Sequence, residues 1–199
     1  MGWGVAFFDA DRDGALDLFF ANGHLFPQVD RYPELRETYR QKSQLLMNKD
    51  GAFRDLSDAA GEGLALRRTS RGLAIGDLDN DGAPDLVITN MDDFPTVLQN
   101  RTRTANHWAG FQLTKEGPNR FCVGAKVVIQ AGGRKQIREI RSGGGYLSQN
   151  DLRVYFGLGS YSGKLDVEVF MPGGKRWRWN GLTADRMTAL VLRDPDLPP

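Results

Sequence analysis

The chain of 199 residues is 40% hydrophobic and 26% charged, which is typical of a globular protein of one or two domains. No run of about 18 apolar residues occurs, so the sequence predicts no membrane span. The apolar start at residues 1–8 lacks basic residues and meets Asp9 too early for a signal peptide. A single cysteine, Cys122, excludes an internal disulfide framework.

Acidic and basic residues are unevenly distributed along the chain. Residues 1–100 contain 17 acidic and 10 basic residues, whereas residues 101–199 contain 8 and 16, so net charges of −7 and +8 sum to the overall +1. An acidic half followed by a basic half indicates two units with different roles. The 24 glycines favour a fold of many short strands and tight turns.

The first half contains an internal repeat. Residues 4–27 align with residues 72–95 at a shift of 68, and 12 of the 24 aligned positions are identical. Each copy carries the motif Asp-x-Asp-x-Asp-Gly-x-x-Asp between two short apolar or β-branched segments, which predicts a strand, a loop and a strand. These segments are residues 5–8 and 16–21 in the first copy, and residues 73–75 and 86–89 in the second.

A second hairpin is predicted after the first copy, with residues 49–51 as the turn between strands at residues 44–48 and 52–56. Residues 96–100 resemble the start of the same hairpin after the second copy. Four strands per repeat is the unit of a β-propeller blade, so the pattern predicts an all-β partial propeller of about one and a half blades. Residues 31–42 are charged, with apolar side chains at helical spacing, and predict a surface helix or an ordered insertion.

The two acidic loops predict two calcium sites. Calcium prefers about 6–8 oxygen ligands, and alternating aspartates on a tight loop turn their carboxylates inward. Gly14 and Gly82 stand where each loop must turn sharply. The predicted ligands of the first site are Asp9, Asp11, Asp13 and Asp17 with the carbonyl of Ala15, and those of the second are Asp77, Asp79, Asp81 and Asp85 with the carbonyl of Ala83.

The loops have two alternative interpretations, namely hydrated acidic turns without an ion and EF-hand calcium sites. Hydrated acidic turns would need no ion, because Asp and Gly favour turns in any case. The repetition of identical positions favours the metal, and a carboxylate-rich cage disfavours magnesium. An EF-hand requires flanking helices and a glutamate at loop position 12, where this chain has Phe20 and Ile88.

The second half predicts a small β-sandwich or barrel. Apolar and polar residues alternate along segments such as residues 125–129, 152–158 and 165–169, with glycine-rich turns between them, and about seven strands fit this length. The predicted domains are therefore a repeat region at residues 1–104 and a β domain at residues 105–199.

Several features of the second half leave two interpretations open. Trp177 and Trp179 lie on one strand face and either cover the core or stack on a ligand. Residues 142–150 form either a binding loop or a structural turn. The basic residues 134–141 lack interleaved aromatics and favour a solvated strand face over a nucleic-acid surface.

Catalytic motifs are absent from the sequence. His24 and His107 have no evident acid or nucleophile partner, and Cys122 has no redox or His context, so a buried thiol is expected. No GxSxG, HExxH or P-loop motif occurs. A metal-bound aspartate is held ionised and is therefore unsuited to act as a glycosidase acid. The sequence predicts that the chain is not an enzyme.

Two known families resemble this chain. Its first half resembles integrin-type FG-GAP (VCBS) repeats, and its second half resembles the ASPIC/UnbV domain of bacterial proteins and of cartilage acidic proteins. The matching segments are residues 4–18, 48–53 and 72–86 for the first family, and residues 123–127, 141–150, 156–159 and 172–175 for the second.

The resemblance implies a calcium-binding propeller followed by a small β domain, in an extracellular, periplasmic or cell-surface parent protein. A closed propeller needs more blades than this chain supplies, so we expect a C-terminal piece of a longer protein or a truncated gene product. The predicted function is a non-catalytic adhesion or ligand-binding module with a protein or glycan partner and no nucleic acid. The alternative function is that of an accessory protein or enzyme in natural-product biosynthesis of the enediyne type. The sequence also allows a dimer that forms through an exposed edge strand.

Overall fold

The structure, a computed structural model, describes residues 1–193, and it is all-β. Nine strands lie in the first half: β1 (Gly2–Phe8), β2 (Asp17–Asn22), β3 (Gln41–Lys42), β4 (Gln44–Lys49), β5 (Ala52–Asp55), β6 (Arg67–Arg68), β7 (Ser70–Gly76), β8 (Asp85–Asn90) and β9 (Asp93–Leu98). Seven lie in the second: β10 (His107–Lys115), β11 (Lys126–Ala131), β12 (Arg134–Glu139), β13 (Val154–Gly159), β14 (Leu165–Phe170), β15 (Arg176–Leu182) and β16 (Met187–Leu192). The four-residue helix α1 spans Glu62–Ala65. Over residues 1–193, no helix has the length and apolar character needed to cross a membrane.

Each repeat forms its own antiparallel sheet, as the alternation of short strands and turns predicts. The first sheet has the order β1-β2-β4-β5 and the second has the order β7-β8-β9. The hairpin turn between β4 and β5 contains Asp50 and Gly51 with φ angles of 53° and 86°, which glycine and aspartate tolerate well. Within residues 1–193 the second sheet has no counterpart of β5, so β9 is its outer edge.

The charged segment between β2 and β4 is an ordered insertion without a regular α-helix. It contains two short 3-10 turns, Pro27–Arg31 and Pro33–Leu35, and the second ends where Arg36 adopts a left-handed φ of 54°. Of the two interpretations offered by the sequence, the surface helix is wrong. Pro33 is the first residue of the second turn and lacks the N–H that a continuous helix would need there.

The two repeats share one hydrophobic core. Phe8 and Phe19 of the first sheet pack in the same buried cluster as Leu73 and Ile88 of the second. The backbone of Gly4 approaches β7 so closely that a Cβ atom would lie 2.5 Å from the Cβ of Leu73. The acidic loops at the ends of β1 and β7 are therefore held in a fixed relation by the packing beneath them.

The second half is an open sandwich, hereafter the C-terminal sandwich (β10–β16). One sheet has the order β13-β10-β16 and the other β12-β11-β14-β15, giving the seven strands that the sequence predicts. The inward-facing residues Val127, Ile129, Val167 and Val169 are fully buried against Phe156 of the facing sheet. Strand β10 pairs with β16 in the parallel direction and with β13 in the antiparallel direction.

The segment at residues 142–150 packs against the repeats and has a structural role. Tyr146 makes an edge-to-face contact with Trp3, with ring centroids 5.2 Å apart. Ile75 of β7 donates its backbone N–H to Asn150 Oδ1 at 3.0 Å and accepts the Asp151 N–H at 2.8 Å. The C-terminal sandwich is therefore joined to the repeats by hydrogen bonds to a strand that leads into an acidic loop.

Candidate metal sites

The first loop (residues 9–17) joins β1 to β2, and the second loop (residues 77–85) joins β7 to β8. Both loops have a left-handed backbone conformation at the same two positions of the motif. Arg12 and Asn80 each have a φ of 61°, and Gly14 and Gly82 have φ values of 92° and 85°. The repeat in sequence is therefore also a repeat in backbone conformation.

The first aspartate of each loop organises the turn by accepting two backbone N–H groups. In the first loop Asp9 accepts from Asp13 at 3.1 Å and from Gly14 at 2.9 Å. In the second loop Asp77 accepts from the equivalent residues at 3.1 and 3.0 Å. These bonds explain the Asp-x-x-x-Asp-Gly spacing, because the chain must fold back over the first carboxylate to satisfy them.

The last aspartate ties each loop to the following hairpin. Asp17 accepts the N–H groups of Ala10 and Asn48, both at 2.8 Å. Asp85 does the same with Leu78 at 2.8 Å and with Asn100 at 2.7 Å. These two asparagines, Asn48 and Asn100, are not among the residues predicted for the sites.

The sequence nevertheless contains a short pattern that the two asparagines share. Each stands in a Leu-x-Asn-basic segment, at residues 46–49 and 98–101. The insertion between β2 and β4 changes the spacing between the copies, so the constant shift of 68 does not align the two segments.

Three predicted ligands come together in each loop. Carboxylate oxygens of Asp9, Asp11 and Asp17 lie within 4.8 Å of one another, and those of Asp77, Asp79 and Asp85 do the same. These distances allow one cation to contact all three carboxylates of a group.

The other four predicted ligands lie outside these carboxylate groups. Asp13 is not a member of the first group, and its Oδ1 accepts the Ala15 N–H at 2.7 Å. Asp81 accepts the Ala83 N–H at 2.8 Å in the same way. The predicted ligand roles of Asp13 and Asp81, and of the carbonyls of Ala15 and Ala83, stay predictions.

Burial destabilises the charged form of the clustered carboxylates. Desolvation raises the pKa of Asp9 to about 7 and that of Asp17 to about 6, and neighbouring aspartates add to both effects. Desolvation also raises the pKa of Asp11 and of Asp77. Carboxylates held together in this way regain their charged form when a cation lies between them.

The donor set fits a hard divalent cation. Each group consists of carboxylate oxygens alone, and His or Cys ligands, which zinc and copper prefer, take no part in it. The first and last aspartates already have their side chains fixed by backbone N–H groups. Little further ordering is therefore needed to bring their free lone pairs to an ion.

Other residues noted in the sequence have structural contacts. Trp177 and Trp179 are half-buried against the core of the C-terminal sandwich, and the Trp177 indole donates to the Arg193 carbonyl at 2.7 Å. Cys122 is fully buried, as expected for a structural thiol. His107 Nδ1 lies 2.6 Å from Asp185 Oδ2, and Asp185 Oδ1 also accepts the Trp108 N–H.

The class defined by these features is an all-β protein with two acidic-loop repeats followed by a β-sandwich. Residues 115–196 match the family described as "ASPIC and UnbV", and this match begins at the end of β10. The first half is not part of that match. The C-terminal part of the chain is thus similar to the ASPIC/UnbV family, as the sequence resemblance implies.

A similar full-length protein is cartilage acidic protein 1 of Xenopus tropicalis. It is 30% identical to this chain over 173 residues, which is 84% of this chain and 25% of the relative. The chain therefore spans about a quarter of the relative's length.

Proposed function

We propose that this chain is a calcium-binding, non-catalytic module of an FG-GAP (VCBS) repeat protein of the ASPIC/UnbV type, and that it serves adhesion or ligand binding. The observation that carries the proposal is the equivalence of the two acidic loops. Each brings three carboxylates within 4.8 Å and closes the turn with the same five backbone-to-carboxylate hydrogen bonds.

Calcium suits these loops better than magnesium does. Magnesium demands near-ideal octahedral geometry and usually keeps several of its waters, whereas calcium accepts irregular cages of carboxylates and carbonyls. The ligands here come from tight turns whose geometry is set by backbone hydrogen bonds. The role of the ions is to neutralise the aspartates and to hold each hairpin to its neighbour.

The cellular setting follows from the relative and from the chemistry. The similar protein is named for cartilage, an extracellular tissue, and calcium sites of extracellular modules work at about 10⁻⁴–10⁻³ M calcium. We therefore place the parent protein outside the cytosol, with a protein or glycan as its partner. Neither a nucleic acid nor a second copy of the chain is needed for this role.

A cleft between the repeats and the C-terminal sandwich favours a second function, the binding of a small molecule in a biosynthetic pathway. Its volume is about 460 Å³, and Phe7, Arg138 and Tyr155 are among the lining residues. Its central polar groups are already paired, because Asp151 accepts from both Arg153 and Tyr155. Asp9 also lines the cleft, but both of its carboxylate oxygens accept backbone N–H groups of the first loop, so we rank this function second.

Calcium titration by calorimetry tests the proposal directly. The metal-free chain should bind two calcium ions and should bind magnesium much more weakly. Because calcium binds the folded state, each site at 100 times its Kd adds about 2.7 kcal/mol to the free energy of unfolding, which raises Tm by roughly 5–10 °C.

Variants assign the two sites. Asp11→Ala should remove the first site and Asp79→Ala the second, each leaving the other intact, because each residue belongs to one carboxylate group. Glu62→Ala, an exposed acid of the repeat region, is the matched control and should keep both sites. The absence of binding heat together with an unchanged Tm in chelator would reject the proposed function.

A further inference from the structure

We infer that the C-terminal sandwich and the linker before it (residues 99–106) hold the first loop in its cation-binding conformation, so that cation binding and docking of the sandwich are coupled. This inference rests on the proposed function, because it concerns the regulation of the same site. It assigns positioning roles to residues far from the acidic motif in sequence, among them Asn106 and Arg134.

The main observation is that four consecutive backbone carbonyls of the first loop accept hydrogen bonds from outside the loop. The linker contributes two donors and the sandwich contributes two. Ala10 accepts from Asn100 Nδ2 at 2.9 Å, Asp11 from Asn106 Nδ2 at 2.9 Å, Arg12 from the Gly159 N–H at 2.9 Å, and Asp13 from Arg134 Nη1 at 3.2 Å. The carboxylates of the loop gather on the inside while its carbonyls are held from the outside.

A second observation is the close contact between β13 and the first loop. A Cβ atom added at Gly157 would lie 2.1 Å from Asp9 Oδ2 and within 2.6 Å of the Arg12 backbone. The Gly157 carbonyl accepts a hydrogen bond from Gln136 Nε2 at 2.7 Å, which joins β13 to β12 at this point. The sandwich therefore presents a glycine because the loop, including a predicted ligand, lies directly against it.

The hydrogen bonds from the linker and the sandwich stabilise the part of the first loop whose backbone conformation is least favourable. Arg12 has a left-handed φ of 61°, which is unfavourable for a residue with a long side chain, and its carbonyl is one of the four that are bonded. If the sandwich moves away, the loop loses the bonds that compensate this conformation, and its carboxylates no longer converge. By linkage, an ion that requires the converged loop also strengthens the docking of the sandwich.

The second loop is held from outside by fewer groups. Arg153 donates to the Asp77 carbonyl at 2.8 Å and to Asn80 Oδ1 at 2.7 Å, and Gln99 of the linker donates to Asp79 Oδ2 at 2.5 Å. No bond from Asn106, Arg134 or Gly159 reaches this loop in the described residues. Changes at those residues should therefore act on the first site alone.

The experiment measures calcium affinity with one site present at a time, in the full chain. In the Asp79→Ala background, which keeps the first site, Asn106→Ala and Arg134→Ala should each weaken calcium binding about 3- to 10-fold, since each removes one hydrogen bond. In the Asp11→Ala background, which keeps the second site, the same changes should leave the affinity unaltered. Asn180→Ala and Lys135→Ala are the matched controls, because both residues are exposed and neither contacts a loop.

Hydrogen exchange measures the reverse effect, that of the bound ion on the docking of the C-terminal sandwich. Chelation should speed exchange of the Gly159 amide, which donates to Arg12, and should leave the central strand β11 protected. Two ions bound by the wild-type chain, together with an unchanged first-site affinity of Asn106→Ala and Arg134→Ala in the Asp79→Ala background, would overturn the inference and leave the proposed function standing. No calcium binding by the wild-type chain would reject the proposed function itself, and the coupling with it.

Discussion

The first and second loops share a motif and a hydrogen-bond pattern, yet their surroundings differ. The first loop lies beneath the C-terminal sandwich and the linker, which bond four of its carbonyls. The second loop is contacted by the Arg153 guanidinium and by the ring of Trp108. The comparison teaches that the motif determines the turn and its carboxylates, whereas residues distant in sequence determine how firmly each turn is held.

The electrostatic environments of the two loops differ as well. Burial and the nearby aspartates Asp13 and Asp17 together raise the pKa of Asp9 to about 7. Burial also raises the pKa of Asp77, but the Arg153 guanidinium acts in the opposite direction. One guanidinium therefore opposes the rise in each loop, Arg138 at Asp9 and Arg153 at Asp77, and the larger rise in pKa is that of Asp9.

The largest expected difference concerns the glycine of each loop. Gly82→Ala should lower the free energy of unfolding by about 3–4 kcal/mol, because a left-handed alanine is strained and its Cβ would lie 2.0 Å from the Trp108 ring. Gly14→Ala should cost about 1–2 kcal/mol, since its φ is also left-handed but its nearest neighbour is 3.1 Å away. Urea unfolding of both variants measures the difference, and equal losses would contradict the role given to Trp108.

The next difference is in the pH dependence of the metal-free chain. The pKa of Asp9 rises from 3.8 in the unfolded chain to about 7 in the folded one, so between these values the folded state binds more protons. Stability without metal should therefore increase as pH falls from 8 to 5.5. With saturating calcium the gain in stability from the ion should decrease over the same range, because protons compete for the carboxylate.

Two amide variants assign this effect to a loop. Asp9→Asn should remove a large part of the increase at low pH, because an amide does not titrate, and Asp77→Asn should remove less, because the pKa of Asp77 is raised less than that of Asp9. Urea unfolding at pH 8 and 5.5 after removal of metal on a chelating resin provides the measurement. A metal-free wild-type chain that is more stable at pH 8 than at pH 5.5 would contradict the prediction.

The smallest expected effect is at Arg153. Arg153→Ala should weaken calcium binding at the second site about 3- to 10-fold and leave the first site unchanged, because its guanidinium bonds the Asp77 carbonyl and Asn80. Calorimetry in the Asp11→Ala and Asp79→Ala backgrounds separates the sites. Arg178→Ala, an exposed arginine on β15 that bonds Asn180, is the control. A loss at the first site instead would show that the two loops are not held independently.

Much of the fold follows from local sequence patterns. The repeat predicts both strand–loop–strand units because its apolar runs and its Asp-Gly turns are short-range signals, and alternation predicts the seven strands of the sandwich. The surface helix predicted for the insertion does not form, because Pro33 prevents a continuous helix despite the helical spacing of the apolar residues.

The surroundings of the loops could not be predicted from the sequence. Nothing local to Gly157 indicates that Asp9 lies against it, and nothing local to Asn106 indicates a bond to the carbonyl of Asp11. These contacts arise from the way in which the sandwich packs on the repeats, which is a tertiary property. The spacing of the aspartates within each turn, in contrast, is visible in the sequence and predicts carboxylate ligands, three of which come together in each loop.

Because β10 pairs in parallel with β16, a nascent chain completes the sheet β13-β10-β16 only after β16 has been synthesised. Gly110 finds its parallel partner only when synthesis has reached Met187, which at ~5–20 residues per second takes roughly 4–15 s. During that interval one edge of β10 is uncovered and can pair with other polypeptides. Products that stop before Met187 should therefore accumulate as aggregates, even though every aspartate of both turns has already been made.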